Sequence, residues 1–328
     1  MQRIERRPPI RPGAAPFGTL AVAALALGAL AVANHLAGER AERQNPPRGR
    51  FITVDGVRLH YLEAGQGRPL LLLHGNGTSG EDFVISGIMQ RLAADHRVIA
   101  IDRPGFGYSE RPRERDWLPE NQAALMVRAC AELGLERPIV VGHSWGTLVA
   151  LHMALDHPGA VSGLALLSGY YTPTPRSDVP AYSISAIPVL GDVVRYTIAP
   201  PLGWLMASPT YRRLFKPSPV SGRWKRDFST GMALRPWQLR ATAADTWRMI
   251  YGAANVQERL AQLRVPLLLI HGTRDRVVDF VTQSVSLHRR VRGSELVAIP
   301  GVGHMIHHIA PNAVSDAIRR FATPALTA

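Results

Sequence analysis

Cysteine is all but missing from this chain of 328 residues: Cys130 stands alone, which rules out an intramolecular disulfide and any cysteine-rich metal site. Lysine is nearly as scarce, at two residues, so the net charge of +13 is carried by arginine. Those arginines are spread along the chain and no nucleic-acid recognition motif accompanies them, so no nucleic-acid partner is read from the charge. Internal repeats and sustained heptads are lacking too, which removes solenoids and coiled coils. Cys130 lies in a helical pattern among apolar neighbours, where a buried, inert thiol is expected.

One long uncharged stretch is present. From Phe17 to Leu36 about 20 residues dominated by Ala and Leu run without a charge, enough to cross a ~30 Å hydrocarbon core. Arg3, Arg6, Arg7 and Arg11 precede it. Ala31-Val32-Ala33 would suit a signal-peptide cleavage site, but the run exceeds the roughly 7 to 15 residues of such a peptide, which favours an anchor. The expected organisation is a basic tail over 1–15, a transmembrane anchor or signal segment over 16–37 contacting the lipid bilayer and standing outside the fold, and a charged tether over 38–50. Arg40, Arg43, Arg48 and Arg50 balance the arginines of the tail. A short tail with four arginines resists translocation whereas a long domain crosses regardless, so the rest of the chain is expected on the extracytoplasmic, periplasmic face.

Beyond residue 50 the chain reads as α/β. Apolar runs at 70–73, 98–101, 139–141, 164–167, 267–270 and 296–299 suit buried parallel strands, and they alternate with helical patterns near 81–94, 119–134, 145–156, 281–291 and 312–322. An opening hairpin, 51–54 and 57–62, turns through Asp55-Gly56. The sum is a mostly parallel twisted sheet of about eight strands flanked by helices, built from 51–170 and 257–328. Between 171 and 256 the alternation stops and Pro, Trp, Tyr and Arg take over.

Chemistry concentrates at Val140-Val141-Gly142-His143-Ser144-Trp145-Gly146, a serine between two glycines where a strand meets a helix. Such a turn strains the serine backbone, needs small neighbours, and exposes the hydroxyl beside the first free N–H groups of the helix. A serine nucleophile demands a base and an orienting acid. Asp275 follows the strand 265–270, and His304 follows the strand 294–299, each at a carboxyl end where open α/β sheets build sites. Asp279 could substitute for Asp275, and His307 or His308 for His304. The four-residue spacing of His304 and His308 would suit a metal, but no carboxylate or cysteine is arranged in sequence to complete it, so no metal is expected. His74 and His143 are read as loop-holding, and Asp102 and Arg103 as organising the turn after their strand.

The order Ser144, Asp275, His304 resembles that of the α/β-hydrolase superfamily, over roughly residues 50 to 323. The likeness rests also on Leu70-Leu71-Leu72-Leu73-His74-Gly75-Asn76-Gly77, on Asp102-Arg103-Pro104-Gly105-Phe106-Gly107-Tyr108-Ser109, on His271-Gly272-Thr273-Arg274-Asp275 and on Gly303-His304. It implies Ser144 as nucleophile, His304 as general base and then acid, Asp275 as the group fixing the imidazole tautomer, and the N–H groups of Asn76 and Trp145 as oxyanion hole. It also implies that 171–256 form a helical cap over Ser144, and that no cofactor is needed. Haloalkane dehalogenases and epoxide hydrolases of this fold use aspartate at the elbow, so Ser144 points instead to attack on a carbonyl.

A small apolar acyl substrate is expected, an ester, thioester or lactone. The superfamily also holds C–C bond hydrolases, perhydrolases resembling non-haem haloperoxidases, and proline iminopeptidases, which Trp145 resembles but whose amine clamp is not identified here. A non-catalytic, membrane-tethered binding protein is the reading from another class. Trp204, Trp224, Trp237 and Trp247, with Met206, Met232 and Met249, are candidates to line an acyl pocket or to form the cap's own core. Arg212, Arg213, Lys216, Arg223, Lys225 and Arg226 are candidates to face anionic lipid.

Overall fold

The computed structural model describes residues 17–176 and 179–323; the basic tail expected over 1–15 lies outside them. The chain opens with helix α1 (Phe17–Gln44), then forms the hairpin β1 (Arg50–Val54) and β2 (Val57–Ala64), followed by β3 (Arg68–Leu73). Helices α2 (Glu81–Ser86) and α3 (Ile88–Leu92) lead to β4 (His96–Ile101), and α4 (Pro119–Glu132) leads to β5 (Ile139–His143). After α5 (Gly146–Asp156) and β6 (Gly163–Leu167) comes a helical insertion: α6 (Val179–Ser183), α7 (Leu190–Tyr196), α8 (Ala199–Phe215), α9 (Gly222–Asp227), α10 (Thr230–Ala233) and α11 (Pro236–Arg259). The chain ends through β7 (Leu267–Gly272), α12 (Ser286–Arg290), β8 (Glu295–Ile299), α13 (Ile306–Ile309) and α14 (Pro311–Ala322).

The eight strands form one sheet in the order β1-β2-β4-β3-β5-β6-β7-β8. Only β1–β2 and β2–β4 are antiparallel; the remaining pairs are parallel. The reason the central strands read as unbroken apolar runs is that both faces are covered. Leu71 and Leu73 of β3 and Leu164 and Leu166 of β6 pack on the face of α4 and α5. Their neighbours Leu70, Leu72, Ala165 and Leu167 pack on the opposite face with Phe83, Ile88, Val314 and Ile318. Each fully buried leucine of these layers contributes roughly 1.5–3 kcal/mol.

Two expectations are corrected. The helix expected over 81–94 is broken at Gly87, whose φ of 80° no β-carbon-bearing residue adopts readily. The charged stretch expected as a tether from residue 38 is, as far as Gln44, the continuation of α1, and it docks on the helical insertion. Residues at helical spacing make that contact. The Asn34 side-chain amide donates to the carbonyls of Tyr196 (2.9 Å) and Thr197 (2.8 Å), Gly38 lies against the Trp237 ring, Ala41 is buried, and Glu42 accepts from Arg235 at 2.5 Å. Small residues at 38 and 41 permit the close approach. The N-terminal half of α1 stays exposed, and by length and composition the helix suffices to cross a membrane or to serve as a signal sequence.

Candidate active site

Ser144 follows the last residue of β5 and adopts a φ of 50°. The strained conformation is held by packing around the two glycines. A β-carbon at Gly146 would sit 2.3 Å from the Leu73 carbonyl oxygen, and one at Gly142 would sit 2.9 Å from the Gly146 carbonyl oxygen. The turn is therefore pressed against the end of β3, whose loop carries Asn76. Ser144 also donates its N–H to the Leu167 carbonyl at 2.9 Å, which fixes it to β6.

Ser144, His304 and Asp275 meet at the carboxyl edge of the sheet. His304 Nδ1 donates to Asp275 Oδ2 at 2.7 Å, which leaves Nε2 to accept from the Ser144 hydroxyl at 3.0 Å. Asp275 Oδ1 accepts the N–H groups of Val277 (2.7 Å) and Val278 (2.9 Å), and Oδ2 also accepts from His271 Nε2 at 3.1 Å. Burial alone pushes this carboxyl up, but His304 and His271 outweigh it and hold Asp275 well below the usual carboxylate range. Asp279 takes no part; it accepts from the N–H of Thr282.

Asn76 and Trp145 flank the serine. Among the described residues no acceptor is paired with the backbone N–H of either. Their side chains point away and are tied to one stretch of α11. Trp145 Nε1 donates to the Asp245 carbonyl at 2.9 Å, while Asn76 Nδ2 donates to Thr246 Oγ1 at 2.8 Å and the Thr242 carbonyl at 3.1 Å. The Asp245 carboxylate in turn holds Arg103 at 2.6 Å and Arg111 at 2.9 Å. Arg103 also donates to the carbonyls of His74 (2.9 Å) and Gly75 (3.2 Å), immediately before Asn76. Asp245, fully buried, thus braces both backbone donors, and no pattern in the sequence marks it.

A second buried network lies behind His304. The carboxylate of Asp82 on α2 accepts from His307 (3.0 Å) and His308 (2.6 Å), and the His307 ring lies 4.4 Å from that of His143. Burial, with His307 and His304 beside it, holds His143 well below its usual range; burial likewise lowers His307 despite Asp82. The two residues that compete with His304 in sequence are thus engaged by Asp82, a carboxylate that sequence spacing does not reveal. Asp82, His143 and His307 each offer one ligand-type atom within 4.8 Å of the others. His74 Nδ1 donates to Gly75 O at 2.7 Å and its Nε2 accepts from the Arg103 N–H at 2.9 Å; burial and Arg103 hold its pKa down to about 4.

The aromatic residues of the insertion diverge. Trp224 stacks on Phe228 at 3.9 Å and packs with Phe215 and Met305 as a small core. Trp237 meets α1, Met249 joins the sheet core, and Met232 lines a cavity of about 420 Å³ beside Asn45 and Tyr108. Trp204 and Trp247 are 57% and 65% exposed. These residues do not line a single acyl pocket.

Residues 68–311 match the model of the alpha/beta hydrolase fold family. Haloalkane dehalogenase 2 of Mycobacterium tuberculosis is 28% identical over 286 residues, covering 83% of this chain and 94% of that protein. The 2-hydroxymuconate semialdehyde hydrolase of Pseudomonas sp. strain CF600 is 35% identical over 130 residues, covering 39% of this chain and 45% of that protein. Among solved structures, a membrane phospholipase A superposes with a TM-score of 0.63 at 22% identity, over 92% of this chain and 94% of that one, a likeness of fold. With its eight-stranded, mostly parallel sheet, flanking helices and serine turn at the carboxyl edge, the chain belongs to the α/β-hydrolase fold family.

Proposed function

We propose that this chain is a membrane-anchored serine hydrolase that cleaves a carboxylic ester, thioester or lactone through an acyl-enzyme on Ser144. The observation that carries the reading is the unbroken hydrogen-bonded line from Asp275 through His304 to Ser144, beside two N–H groups that have no acceptor among the described residues. His304 Nε2 takes the Ser144 proton as the hydroxyl oxygen attacks the carbonyl carbon. The N–H groups of Asn76 and Trp145 receive the oxyanion, and His304 returns the proton to the leaving group. Water, deprotonated by the same nitrogen, then hydrolyses the acyl-enzyme. No cofactor enters this cycle, and the substrate is a small molecule with an apolar acyl group. A serine at the elbow favours carbonyl attack over the displacement that an aspartate would perform. The likeness to a 2-hydroxymuconate semialdehyde hydrolase favours, as a second reading, C–C bond hydrolysis by the same nucleophile.

The bilayer reading rests on α1 and on its surroundings. Of 19 large apolar residues exposed among the described ones, 11 lie between Tyr182 and Met206, next to the point where α1 leaves the domain at Asn34. From Phe17 to Asn34 the helix rises about 26 Å at ~1.5 Å per residue, close to a ~30 Å hydrocarbon core. The arginines of the tail favour a catalytic domain on the extracytoplasmic, periplasmic face.

The test is hydrolysis of p-nitrophenyl esters of increasing acyl length by the full chain in nonionic detergent, with Ser144→Ala and a fluorophosphonate probe beside it. Activity and labelling that vanish together in the variant support the reading. A folded wild type inert to both overturns it.

A further inference from the structure

A second concave site lies on the far side of α11 from Ser144. Its volume is about 430 Å³, and it is walled by the 111–117 loop, the segment before α7, and α11. None of Ser144, Asp275, His304, Asn76 or Trp145 lines it. Six arginines do: Arg111, Arg113, Arg115, Arg195, Arg240 and Arg248. Against them stand two lining carboxylates, Asp116 and Asp192.

The carboxylates are already committed. Asp192 is shared between Arg113 and Arg195, Asp116 pairs with Arg248, and Arg111 reaches out of the cleft to Asp245, which Arg103 also holds. Arg115 donates to the Asp55 carbonyl. Two of the arginines keep donors for a ligand. Among the described residues Arg240, half-buried, has no carboxylate or carbonyl within hydrogen-bond distance, and the Nε of Arg195, a residue 2% exposed, is buried without an acceptor. Burial, with Arg113, Arg111 and Arg195 around it, lowers the Arg240 guanidinium to about 10. Gathering six guanidinium groups around one cavity costs free energy through like-charge repulsion and stranded donors. An oxyanion with several acceptor atoms removes both costs, and the planar guanidinium fork matches phosphate oxygens in pairs.

We infer that this cleft is an anion site for a phosphate group, with Arg240 and Arg195 as its principal donors and Arg113 at its rim. Ile187 and Pro188 form an apolar lip continuous with the exposed face between Tyr182 and Met206. That continuity favours the phosphate of an anionic phospholipid whose chains lie along the lip. The lipid source rests on the bilayer reading given above; the phosphate site itself does not.

The experiment uses the full chain in nonionic detergent, as wild type, Arg240→Gln and Arg113→Gln. The thermal midpoint is followed against inorganic phosphate, with chloride at equal ionic strength as control. Native mass spectrometry then scores retained phosphatidylglycerol against phosphatidylcholine. The expected result is a phosphate-specific rise in the wild type, an affinity at least ~10-fold weaker in each variant, and a preference for phosphatidylglycerol that the variants lose. A thermal midpoint in chloride close to that of the wild type shows that both variants are folded whatever the fate of the hydrolase reading, and ester hydrolysis is expected unchanged in both. Phosphate binding without lipid preference keeps the site and assigns it to free phosphate. The inference is overturned if phosphate acts no more strongly than chloride and phosphatidylglycerol is not retained over phosphatidylcholine, or if the variants respond like the wild type.

Discussion

The indole Nε1 of Trp145 donates to the backbone carbonyl of Asp245 at 2.9 Å, joining the residue after the elbow serine to the long helix of the insertion. Asn76, the other donor flanking Ser144, is tied to the same helix one residue further on. The backbone geometry around Ser144 is therefore set from outside the sheet as well as from within it.

Replacing Trp145 by Phe keeps an aromatic ring but removes the indole N–H that ties it to α11, leaving the Asp245 carbonyl with its helical bond alone. The loss of one hydrogen bond costs about 0.5–1.5 kcal/mol, so the urea midpoint falls modestly. If the tie positions the oxyanion donor, kcat toward a p-nitrophenyl ester falls while KM holds; a fall in stability alone would give the tie a structural role only.

Gly146→Ala places a β-carbon against the ends of β3, at 2.3 Å from Leu73 O and 2.7 Å from His74 O. Overpacking of this kind costs about 1–3 kcal/mol and here displaces the serine turn itself. Fluorophosphonate labelling of Ser144 is expected to drop well beyond what the loss in thermal midpoint explains.

Acid destabilises this fold in two stages. His74, His143 and His307 have folded pKa values below their unfolded ones, so they contribute stability fully present above about pH 6.5 that is lost as pH falls. For His74, a fall from 6.5 to about 4 amounts to about 3 kcal/mol. Asp275 and Asp82 are depressed too, and their contribution, full above about pH 4, is lost below it. Urea midpoints from pH 7.5 to pH 3.5 should decline throughout, and His74→Gln should flatten the upper part of the curve. A midpoint independent of pH between 7 and 4.5 contradicts the assignment.

Removal of residues 1–44 takes Glu42 from Arg235 and Asn34 from the end of α7. The truncated chain is expected to melt several degrees below the full chain, because a buried arginine loses its carboxylate partner. Equal midpoints would mean that α1 adds no stability.

Cys130 is buried and its thiol is pushed up by burial to about 12. At pH 8 the native protein should resist a maleimide or an aromatic disulfide, and react once in guanidinium chloride. Fast labelling of the native state would show that α4 opens.

The strand runs, the helices between them, the serine turn and the placement of Asp275 and His304 were legible in the sequence, because period and punctuation are local. A buried strand must be apolar on both faces, a strained turn needs glycine beside it, and a residue after a strand's carboxyl end lies at that edge wherever the strand sits. Asp275 and His304 lie 131 and 160 positions from Ser144 along the chain, yet each of the three is fixed at that edge by its own strand.

The remaining features depended on which surfaces meet, and only the tertiary structure decided those. Asp245 sits in an ordinary helical stretch, and its bracing of Arg103, Arg111 and Trp145 exists only because α11 crosses above the serine turn. Asp82 lies far from His307 and His308 in sequence and reaches them through the packing of α2 against α13. The end of α1 reads as charged linker because Glu39, Arg40 and Arg43 face solvent, while Gly38 and Ala41 on the opposite side carry the docking. The arginine-lined cleft looks, in sequence, like scattered charge. Folding converts it into a concentration of like charge, since long-range contacts, unlike propensity and pattern, leave no trace in neighbouring residues.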